Sequence, residues 1–316
     1  MKTALLAPLD WGLGHASRSL ALVQRLETDG YRVVLAGSGA SGRWMRMTRP
    51  DLPYVELPGF TLTYSRSKRQ VWAVLRALPR LLYRSFSEHR ALKRLVRSRS
   101  VDLVVSDNRF GLFCTACRCV YVTHQAHIFL PRPYRFLEPL AEALHRRVME
   151  RYDACWIPDE ADLSCSLSGA LGHPRRLSAN AVYIGPLSRF RPAAPSAGGG
   201  TLWLLSGVEP QRTMLENELL AAYTPADGTV TLVRGVCGVP LASPPPAGLT
   251  VIDSPDTDTL GDLIRRADRI VARSGYSTVM DLARLGKLEV ARWVPTPGQP
   301  EQEYLAGWLS ARRNPA

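Results

Sequence analysis

The sequence lacks any run of about 18 apolar residues, the length that a membrane-spanning helix requires. Its first residues, MKTALLAPLDWG, form a short apolar stretch that enters a glycine turn, and they lack the small-residue cleavage site of a secretory signal. Cysteine is also scarce, with 6 in 316 residues, which excludes a fold held together by disulfides. These absences predict a cytoplasmic protein that is soluble or attached to a membrane surface.

Motifs for binding a metal ion are incomplete. Cys114 and Cys117 have the spacing of half a zinc site, and Cys119 is close by, but no second pair of matching spacing exists. His124 and His127 are three residues apart and lack a third ligand at a suitable spacing. We therefore expect small buried thiols and hydrogen-bonded loop histidines, with no bound metal.

Acidic residues are few relative to basic ones, 28 against 40, which gives a net charge of +12. The surplus is concentrated in residues 65–99, where eleven Lys or Arg residues accompany a single acid, Glu88. Arg76, Arg80 and Arg84 recur every four residues there, and Pro79 predicts a kink or a break in the helix. The apolar residues that can form a stripe along this helix are Val71, Trp72, Leu75, Leu78, Leu82 and Phe86.

The sequence leaves two interpretations of residues 65–99 open. An amphipathic basic helix can adsorb to an anionic membrane face, where each basic group contributes about 1 kcal/mol. Alternatively, it is an ordinary surface helix whose stripe packs inward while the arginines face water. Nucleic-acid binding is less favoured, because the sequence contains no recognised binding module.

Short apolar runs alternate with helical patterns along the chain, which predicts an α/β fold with parallel sheets. The predicted strands are residues 3–7, 32–36, 54–57, 103–106, 120–123, 154–157, 182–184, 202–205, 230–233, 250–252, 269–271 and 289–294. The segment RPAAPSAGGG has the composition of a linker. We expect two Rossmann-like, doubly wound domains, residues 1–188 and 201–316, joined by a linker at residues 189–200 and facing each other across a cleft.

Ligands of such open sheets bind beyond the carboxyl ends of the strands. The turn after the first strand has the sequence DWGLGHASR, in which Gly12 and Gly14 allow a tight turn and close approach of a ligand. His15 follows, and an imidazole is the usual group to take up a proton near neutral pH. The alternative is a histidine that packs or caps the helix.

Further polar residues follow two later strands of the first half. Asp107 comes after the strand at residues 103–106, where its carboxylate either orients an imidazole or caps the next turn. His124 and Gln125 follow the strand at residues 120–123. We interpret these last two, together with Gly12 and Gly14, as contacts for an acceptor substrate.

Two turns of the second half favour anions. Ser206 and Gly207 lie between a strand and a helix, where backbone amides can form a nest for phosphate, and Arg212 is a candidate counter-charge. Ser274 and Gly275 form a similar turn after the strand at residues 269–271.

The helices after these turns carry clear boundary signals. Ser277 or Thr278 can cap the helix that opens after residue 275, and Gly286 can end it. A later loop contains Gln299, and Pro300 suits the first position of the helix that follows.

Together these motifs resemble those of GT-B glycosyltransferases, in the group that includes the enzyme adding N-acetylglucosamine to the lipid-linked precursor of peptidoglycan. The matching motifs are Gly12-Leu13-Gly14-His15, His124-Gln125, Ser274-Gly275 through Thr278-Val279 to Asp281 and Gly286, and Gln299 to Gln302-Glu303-Tyr304. The resemblance spans most of the chain, and the paired carboxyl-terminal motifs are its most specific part.

The resemblance implies an inverting transfer of a hexose or N-acetylhexosamine from a UDP-sugar to a hydroxyl of a lipid or glycolipid acceptor, at the inner face of the cytoplasmic membrane. In this scheme His15 deprotonates the acceptor and Asp281 binds the ribose hydroxyls. Amide dipoles and arginine stabilise the leaving UDP in place of a metal, so no cofactor is needed beyond the UDP-sugar co-substrate. The other predicted donor-site residues are Arg189, Ser206, Gly207, Arg212, Ser274, Gly275, Ser277, Thr278, Gln299 and Gln302.

Three positions depart from the family pattern. Asp281 stands where glutamate is usual, and Glu303 stands where a second amide is expected. The family also sends a final helix back to the first domain, which we do not expect after Tyr304. The alternatives kept open are a nucleotide-sugar epimerase or hydrolase of the same fold, and an inactive membrane-peripheral protein that binds nucleotide-sugars.

Overall fold

The computed structural model describes residues 1–10, 13–59, 70–236, 239–241 and 244–313, without the side chains of residues 13, 70–81 and 313. The chain divides into two compact units, residues 1–187 and 188–316. Each unit is built on one sheet whose strands are all paired in parallel. The predicted fold class is confirmed, since all twelve predicted strands occur in the described part of the chain.

The first unit contains a seven-stranded sheet. Its strands are β1 Lys2–Pro8, β2 Tyr31–Gly37, β3 Tyr54–Glu56, β4 Leu103–Asp107, β5 Arg118–Val122, β6 Ala154–Ile157 and β7 Ala181–Tyr183. Its α-helices are α1 Leu13–Thr28, α2 Gly39–Thr48, α3 Gln70–Ser98 and α4 Glu138–Met149. The strand order β3-β2-β1-β4-β5-β6-β7 means that the winding direction reverses between β1 and β4.

Both faces of the first sheet are covered by helices, which explains why its strands read as continuous apolar runs. On one face, α1 and α2 bury Leu22 and Met45 against the strands. On the other face, α3 and α4 bury Leu92 and Met149. The middle strand β4 is buried along its whole length. The sheet is therefore a rigid base for the turns at its edges.

The second unit contains a five-stranded sheet. Its strands are β8 Thr201–Leu204, β9 Val230–Val233, β10 Leu249–Ile252, β11 Arg269–Ala272 and β12 Ala291–Trp293. Its α-helices are α5 Gln211–Ala222, α6 Thr257–Arg266, α7 Tyr276–Arg284 and α8 Pro300–Arg313. The order β10-β9-β8-β11-β12 places the reversal of winding between β8 and β11. The two units thus share one topology around their switch points.

The predicted linker at residues 189–200 has no helix or strand, yet it is attached to the second unit. Phe190 is buried in the core formed by α6 and α7. The carboxylate of Asp268 accepts hydrogen bonds from the amides of Gly198 and Gly200, each at 2.9 Å. The amide of Ser196 donates to a carbonyl at the end of α6. This segment is part of the second unit and is not a free connection.

Two expectations about helices need correction or completion. Helix α3 continues past Pro79 without a break in its assignment, so this proline does not divide it. Pro300 is the first residue of α8, as its fixed backbone angle predicted. Of the helices in the described part of the chain, none is long and apolar enough to span a bilayer.

Candidate active site

The turns at the carboxyl edge of the first sheet bring together residues that are far apart in sequence. Asp107 is the last residue of β4 and lies in register with Pro8 of β1 and Val122 of β5. His15 lies in the first turn of α1, directly after β1, and His124 lies just beyond β5. Because neighbouring parallel strands end at the same edge, the side chains of His15, Asp107 and His124 meet at the switch point.

Arg18 connects the three. Its Nε donates to Oδ2 of Asp107 at 2.9 Å, and its Nη2 donates to Oδ1 of the same carboxylate in a second, very short contact. Its Nη1 lies 2.5 Å from Nδ1 of His124, and its Nη2 lies 2.7 Å from Nδ1 of His15. Nδ1 of His15 also lies 3.2 Å from Oδ2 of Asp107. The site is a buried ion pair flanked by two imidazoles.

The sequence interpretation assigned no role to Arg18, although it belongs to the DWGLGHASR motif. The position of Arg18 in the sequence nevertheless indicates a role. Arg18 follows His15 by three residues on α1, and residues at this spacing lie on the same face of a helix. A cation on that face, one turn after a histidine and close to a strand-end acid, indicates an ion pair that positions the histidine.

The carboxyl group of Asp107 is ionised because of its partners. The side chain is completely buried, which by itself would raise its pKa. The opposing charge of Arg18, together with His15, overrides burial and holds the pKa of Asp107 well below its ordinary value. A fixed negative charge therefore lies beneath His15 at neutral pH.

These contacts constrain the protonation of both imidazoles. A guanidinium only donates hydrogen bonds, so Nδ1 of His124 accepts from Arg18 and the proton of the neutral ring is on Nε2. Nδ1 of His15 faces Asp107, which only accepts, and Arg18, which only donates. In the tautomer that donates to Asp107, Nδ1 carries the proton and Nε2 is the basic nitrogen. In the tautomer that accepts from Arg18, Nε2 carries the proton and Nδ1 is the basic nitrogen. The His15 ring is 12% exposed, so a substrate can reach it.

Backbone features around the site fix its loops. Asn108, which follows Asp107, has φ of 55°, a left-handed conformation that asparagine tolerates and that turns the chain sharply at the end of β4. The carboxylate of Asp10 accepts from the amide of Ser41 at 3.0 Å and thereby holds the turn after β1 against α2. Gly12, a predicted acceptor contact, lies outside the described residues, and Gly14 is exposed.

His124 and His127 do not converge on a shared partner. His127 contacts Glu142 through Nδ1 and lies 3.8 Å from Glu138 through Nε2, whereas His124 contacts Arg18. The two histidines therefore have separate partners. Gln125 is half-buried, and its backbone amide donates to Thr123 at 3.2 Å.

In the second unit, the two predicted anion turns are adjacent. Leu204 at the end of β8 pairs with Ala272 at the end of β11, so the turns that follow lie side by side at the switch point. A Cβ atom added to Gly207, which has φ of 104°, or to Gly275 would meet no atom within 4 Å. Both turns therefore border open space, beside the positive end of the α7 dipole.

Asp281 lies on α7 and is only 6% exposed. Its Oδ1 accepts from the Ser188 hydroxyl at 2.7 Å, and its Oδ2 accepts from Nε of Arg189 at 3.3 Å. Burial raises the pKa of Asp281 above its ordinary value, although both partners oppose that shift. The carboxylate is thus only partly compensated and can still accept hydrogen bonds from a ligand.

The structure corrects several predicted donor contacts. Arg212 is buried, and its guanidinium donates to Glu209, Glu216 and Thr213, so it is not available to a phosphate in the adjacent turn. Arg189 pairs with Asp281, where we had expected it beside the diphosphate. The spacing of Glu209 and Glu216 from Arg212 is a local signal for that pairing, whereas Asp281 is too far from Arg189 in sequence to give one.

Other predicted donor residues hold the two turns together. The hydroxyl of Ser274 is buried and donates to the backbone carbonyl of Gln302 at 2.7 Å. The side chain of Gln302 accepts from the amide of Thr296 and donates to Oε1 of Gln299. These side chains position the loop before α8, and backbone amides and Asp281 are among the described groups that can face a ligand.

The boundaries of α7 also differ from the expectation. The helix begins at Tyr276 with Gly275 as its N-cap, so Ser277 and Thr278 are its second and third residues and not its cap. Gly286 has φ of 67° just after the helix, as expected for a glycine that ends a helix.

Two curated proteins are similar in sequence to this chain. A UDP-N-acetylglucosamine–N-acetylmuramyl-(pentapeptide) pyrophosphoryl-undecaprenol N-acetylglucosamine transferase from Alcanivorax borkumensis is 24% identical over 95% of this chain and 80% of its own length. An uncharacterized glycosyltransferase from Methanosarcina acetivorans is 24% identical over 93% of this chain and 80% of its own length. No protein-family model matches the chain.

Solved structures show the same architecture at low sequence identity. The spinosyn rhamnosyltransferase SpnG aligns with 98% of this chain and 84% of its own, with a TM-score of 0.60 and 14% identity. MurG from Acinetobacter baumannii aligns with 98% of this chain and 83% of its own, with a TM-score of 0.51 and 16% identity. A UDP-N-acetylglucosamine 2-epimerase from Listeria monocytogenes, described as putative, aligns with 99% of this chain and 89% of its own, with a TM-score of 0.52 and 11% identity.

The fold alone therefore does not separate transferases from epimerases. The sequence relatives point more narrowly, since both are named as glycosyltransferases and both match almost the whole chain. The protein has the GT-B fold and resembles the glycosyltransferases of that fold, including the N-acetylglucosamine transferase of the lipid-linked peptidoglycan precursor.

Proposed function

We propose that this protein is a glycosyltransferase that moves a hexose or N-acetylhexosamine from a UDP-sugar to a hydroxyl of a lipid-linked or other membrane-associated acceptor. The observation that carries this proposal is the buried assembly of His15, Arg18 and Asp107 at the switch point of the first unit. It combines a proton acceptor with a fixed negative charge beneath it, in a chain that resembles transferases along almost its whole length.

The proposed chemistry is a single displacement with inversion. With Nδ1–H of His15 directed at Asp107, Nε2 takes the proton of the acceptor hydroxyl while the oxygen attacks the anomeric carbon. The bond to the UDP oxygen breaks, and its electron pair leaves with UDP. The negative charge of Asp107 stabilises the imidazolium that forms, and Arg18 keeps that carboxylate ionised and in place.

The donor would occupy the carboxyl edge of the second sheet. Backbone amides at Ser206-Gly207 and Ser274-Gly275 border open space where the glycines stand, which suits a diphosphate. Asp281 would accept hydrogen bonds from the ribose hydroxyls. Leaving-group charge would be stabilised by these amides and by the α7 dipole, so the proposed reaction needs no metal ion.

The acceptor would be held at a membrane surface by the exposed part of α3. Leu82 and Phe86, two residues of the predicted stripe, are 65% and 54% exposed, and the neighbouring Tyr83 is 70% exposed, which supports the membrane-adsorbing interpretation over inward packing. Arg90 lies over the ring of Phe86 at 4.5 Å. Large apolar side chains among arginines suit insertion into an anionic surface. Residues 65–69 of the basic segment lie outside the described residues, as do the side chains of residues 70–81.

The function is tested by incubating the full chain with a panel of UDP-sugars, with and without a lipid extract, and measuring released UDP. Release only with lipid supports transfer. Release without lipid instead indicates a hydrolase, and a changed sugar with intact UDP indicates an epimerase. If a UDP-sugar raises the melting temperature but is never turned over, the protein is a binding module.

Donor binding is expected to weaken on acidification. Hydrogen bonds from ribose hydroxyls favour the ionised form of Asp281, whose pKa is raised by burial. Affinity for UDP should therefore be highest above that raised pKa and fall as the pH drops through it, starting above the ordinary aspartate range. Calorimetric titration of UDP across this range measures the effect.

The Asp281→Asn variant is the control for this pH dependence. It should bind UDP more weakly near neutral pH, with a flatter dependence on pH, because its amide does not titrate. An equally steep decline in the variant would assign the effect to another group.

Membrane attachment is expected to depend on the exposed apolar residues of α3. The double variant Leu82→Ser, Phe86→Ser should reduce partition onto vesicles containing phosphatidylglycerol by at least about tenfold, since each lost apolar contact is worth about 1.5–3 kcal/mol. Flotation at low and high salt separates the apolar contribution from the electrostatic one, because salt weakens the attraction between the arginines and the anionic lipids. Met214→Ser, an exposed methionine on α5, is the matched control. Unchanged flotation of the double variant would remove α3 as the anchor.

A further inference from the structure

Three thiols cluster at the edge of the first sheet opposite to the carboxyl edge that carries His15. Cys119 is the second residue of β5, and Cys114 and Cys117 lie in the loop that leads into this strand. Sγ of Cys114 lies 3.5 Å from Sγ of Cys117 and 3.9 Å from Sγ of Cys119. All three sulfur atoms lie within 4.8 Å of one another, and all three cysteines are free.

These distances match those of a metal-thiolate site. In a tetrahedral zinc site the Zn–S bond is about 2.3 Å, which places the sulfur atoms about 3.8 Å apart. The two closest pairs in the cluster lie on either side of that value. An ion could therefore bind with small side-chain movements and no rearrangement of the strand.

Backbone amides on both sides of the cluster hold Cys119 in place. The backbone amide of Cys114 donates to Sγ of Cys119 at 3.3 Å, a contact that stabilises negative charge on the sulfur. The amide of Cys119 donates to the carboxylate of Asp153 at 2.6 Å, which fixes the start of β5. Cys119 is buried, whereas Cys114 and Cys117 are half-buried, so an ion can enter from solvent.

We infer that Cys114, Cys117 and Cys119 bind one thiophilic metal ion, with Zn²⁺ as the fitting example and water in the fourth position. Binding replaces three S–H protons by three S–Zn bonds and releases the protons to solvent, which leaves the complex with one negative charge. The ion would fasten the loop to β5 at the edge of the sheet opposite to His15.

The sequence predicts no metal because it contains no second Cys-x-x-Cys pair. The third ligand is Cys119, two residues after Cys117. At this position the start of β5 directs the side chain of Cys119 toward the loop. Because the ion must displace the protons of the thiols, its affinity should increase with pH.

Titration of the fully reduced, full-length protein with Co²⁺ alone, followed by Zn²⁺, tests the inference. We expect one Co²⁺ per chain, with an intense sulfur-to-cobalt charge-transfer band that Zn²⁺ abolishes. Cys119→Ser should weaken metal binding by more than about 100-fold. Loss of a residue that only hydrogen-bonds to a ligand weakens metal binding by at most about 100-fold, so a larger loss identifies Cys119 as a ligand itself. Cys165→Ser removes an exposed cysteine outside the cluster and is the matched control.

A second measurement needs no variant. Zn²⁺ should slow alkylation of Cys114 and Cys117 in the wild-type protein, as read by peptide mass spectrometry, while alkylation of Cys165 is unchanged. The inference is overturned if the reduced protein shows no charge-transfer band, if Cys119→Ser binds like the wild type, or if Zn²⁺ protects neither thiol. None of these readouts depends on transferase activity.

Discussion

Replacing His15 with alanine should lower turnover by about 10²–10⁴-fold, the range expected for loss of a general base. Binding of UDP should be unchanged, because His15 belongs to the first unit and the proposed nucleotide contacts belong to the second. The loss should therefore appear in kcat and not in the donor Kd. Initial rates of UDP release, together with calorimetric titration of UDP, measure the two quantities separately.

His89→Gln is a suitable control for this variant. His89 packs against Phe113 on the face of the sheet covered by α3, away from the switch point, so its replacement should leave turnover within a small factor. Turnover of His15→Ala that equals the wild type would eliminate His15 as the base. A parallel loss of UDP affinity would instead assign it to donor binding.

Replacing Arg18 with methionine should lower the free energy of unfolding by about 3–5 kcal/mol, because it leaves the buried carboxylate of Asp107 without its partner. Methionine preserves most of the side-chain volume, so the effect is mainly electrostatic. Urea denaturation of the wild type and the variant measures it. Arg25→Met, an exposed position on the same helix, should change stability by at most about 1 kcal/mol.

The destabilisation of Arg18→Met should depend on pH in a defined direction. In the wild type the depressed pKa of Asp107 contributes stability that is present above the ordinary aspartate pKa and lost as the pH falls through the folded-state value. In the variant burial dominates and raises that pKa, so the folded state takes up a proton more readily than the unfolded state. The deficit should therefore shrink as the pH falls from neutral toward the ordinary aspartate range. A constant deficit would show that lost packing, not charge, is responsible.

Much of the fold could be predicted because buried parallel strands read as apolar runs of three to seven residues. The strand-end rule then indicated where His15, Asp107, Ser206 and Ser274 would lie. These predictions need only local pattern and topology.

Side-chain pairing could not be predicted from the same information. Arg212 follows an anion-friendly turn, but Glu216 lies one helical turn later and draws its guanidinium into the core. Arg18 shows the converse, since a residue that looks like an ordinary helix arginine holds the acid of the site. In both cases an acidic partner determines where the guanidinium lies, and packing determines where that acidic side chain points.

The attachment of residues 189–200 to the second unit bears on how chimeric enzymes should be assembled. A crossover placed at the end of the glycine-rich stretch would pair Asp281 with foreign residues at the positions of Ser188 and Arg189. The same crossover would replace Phe190, which fills part of the core of the second unit. A junction between residues 187 and 188 keeps these contacts within one parent. Donor specificity should therefore be transplanted as a cassette that begins at Ser188.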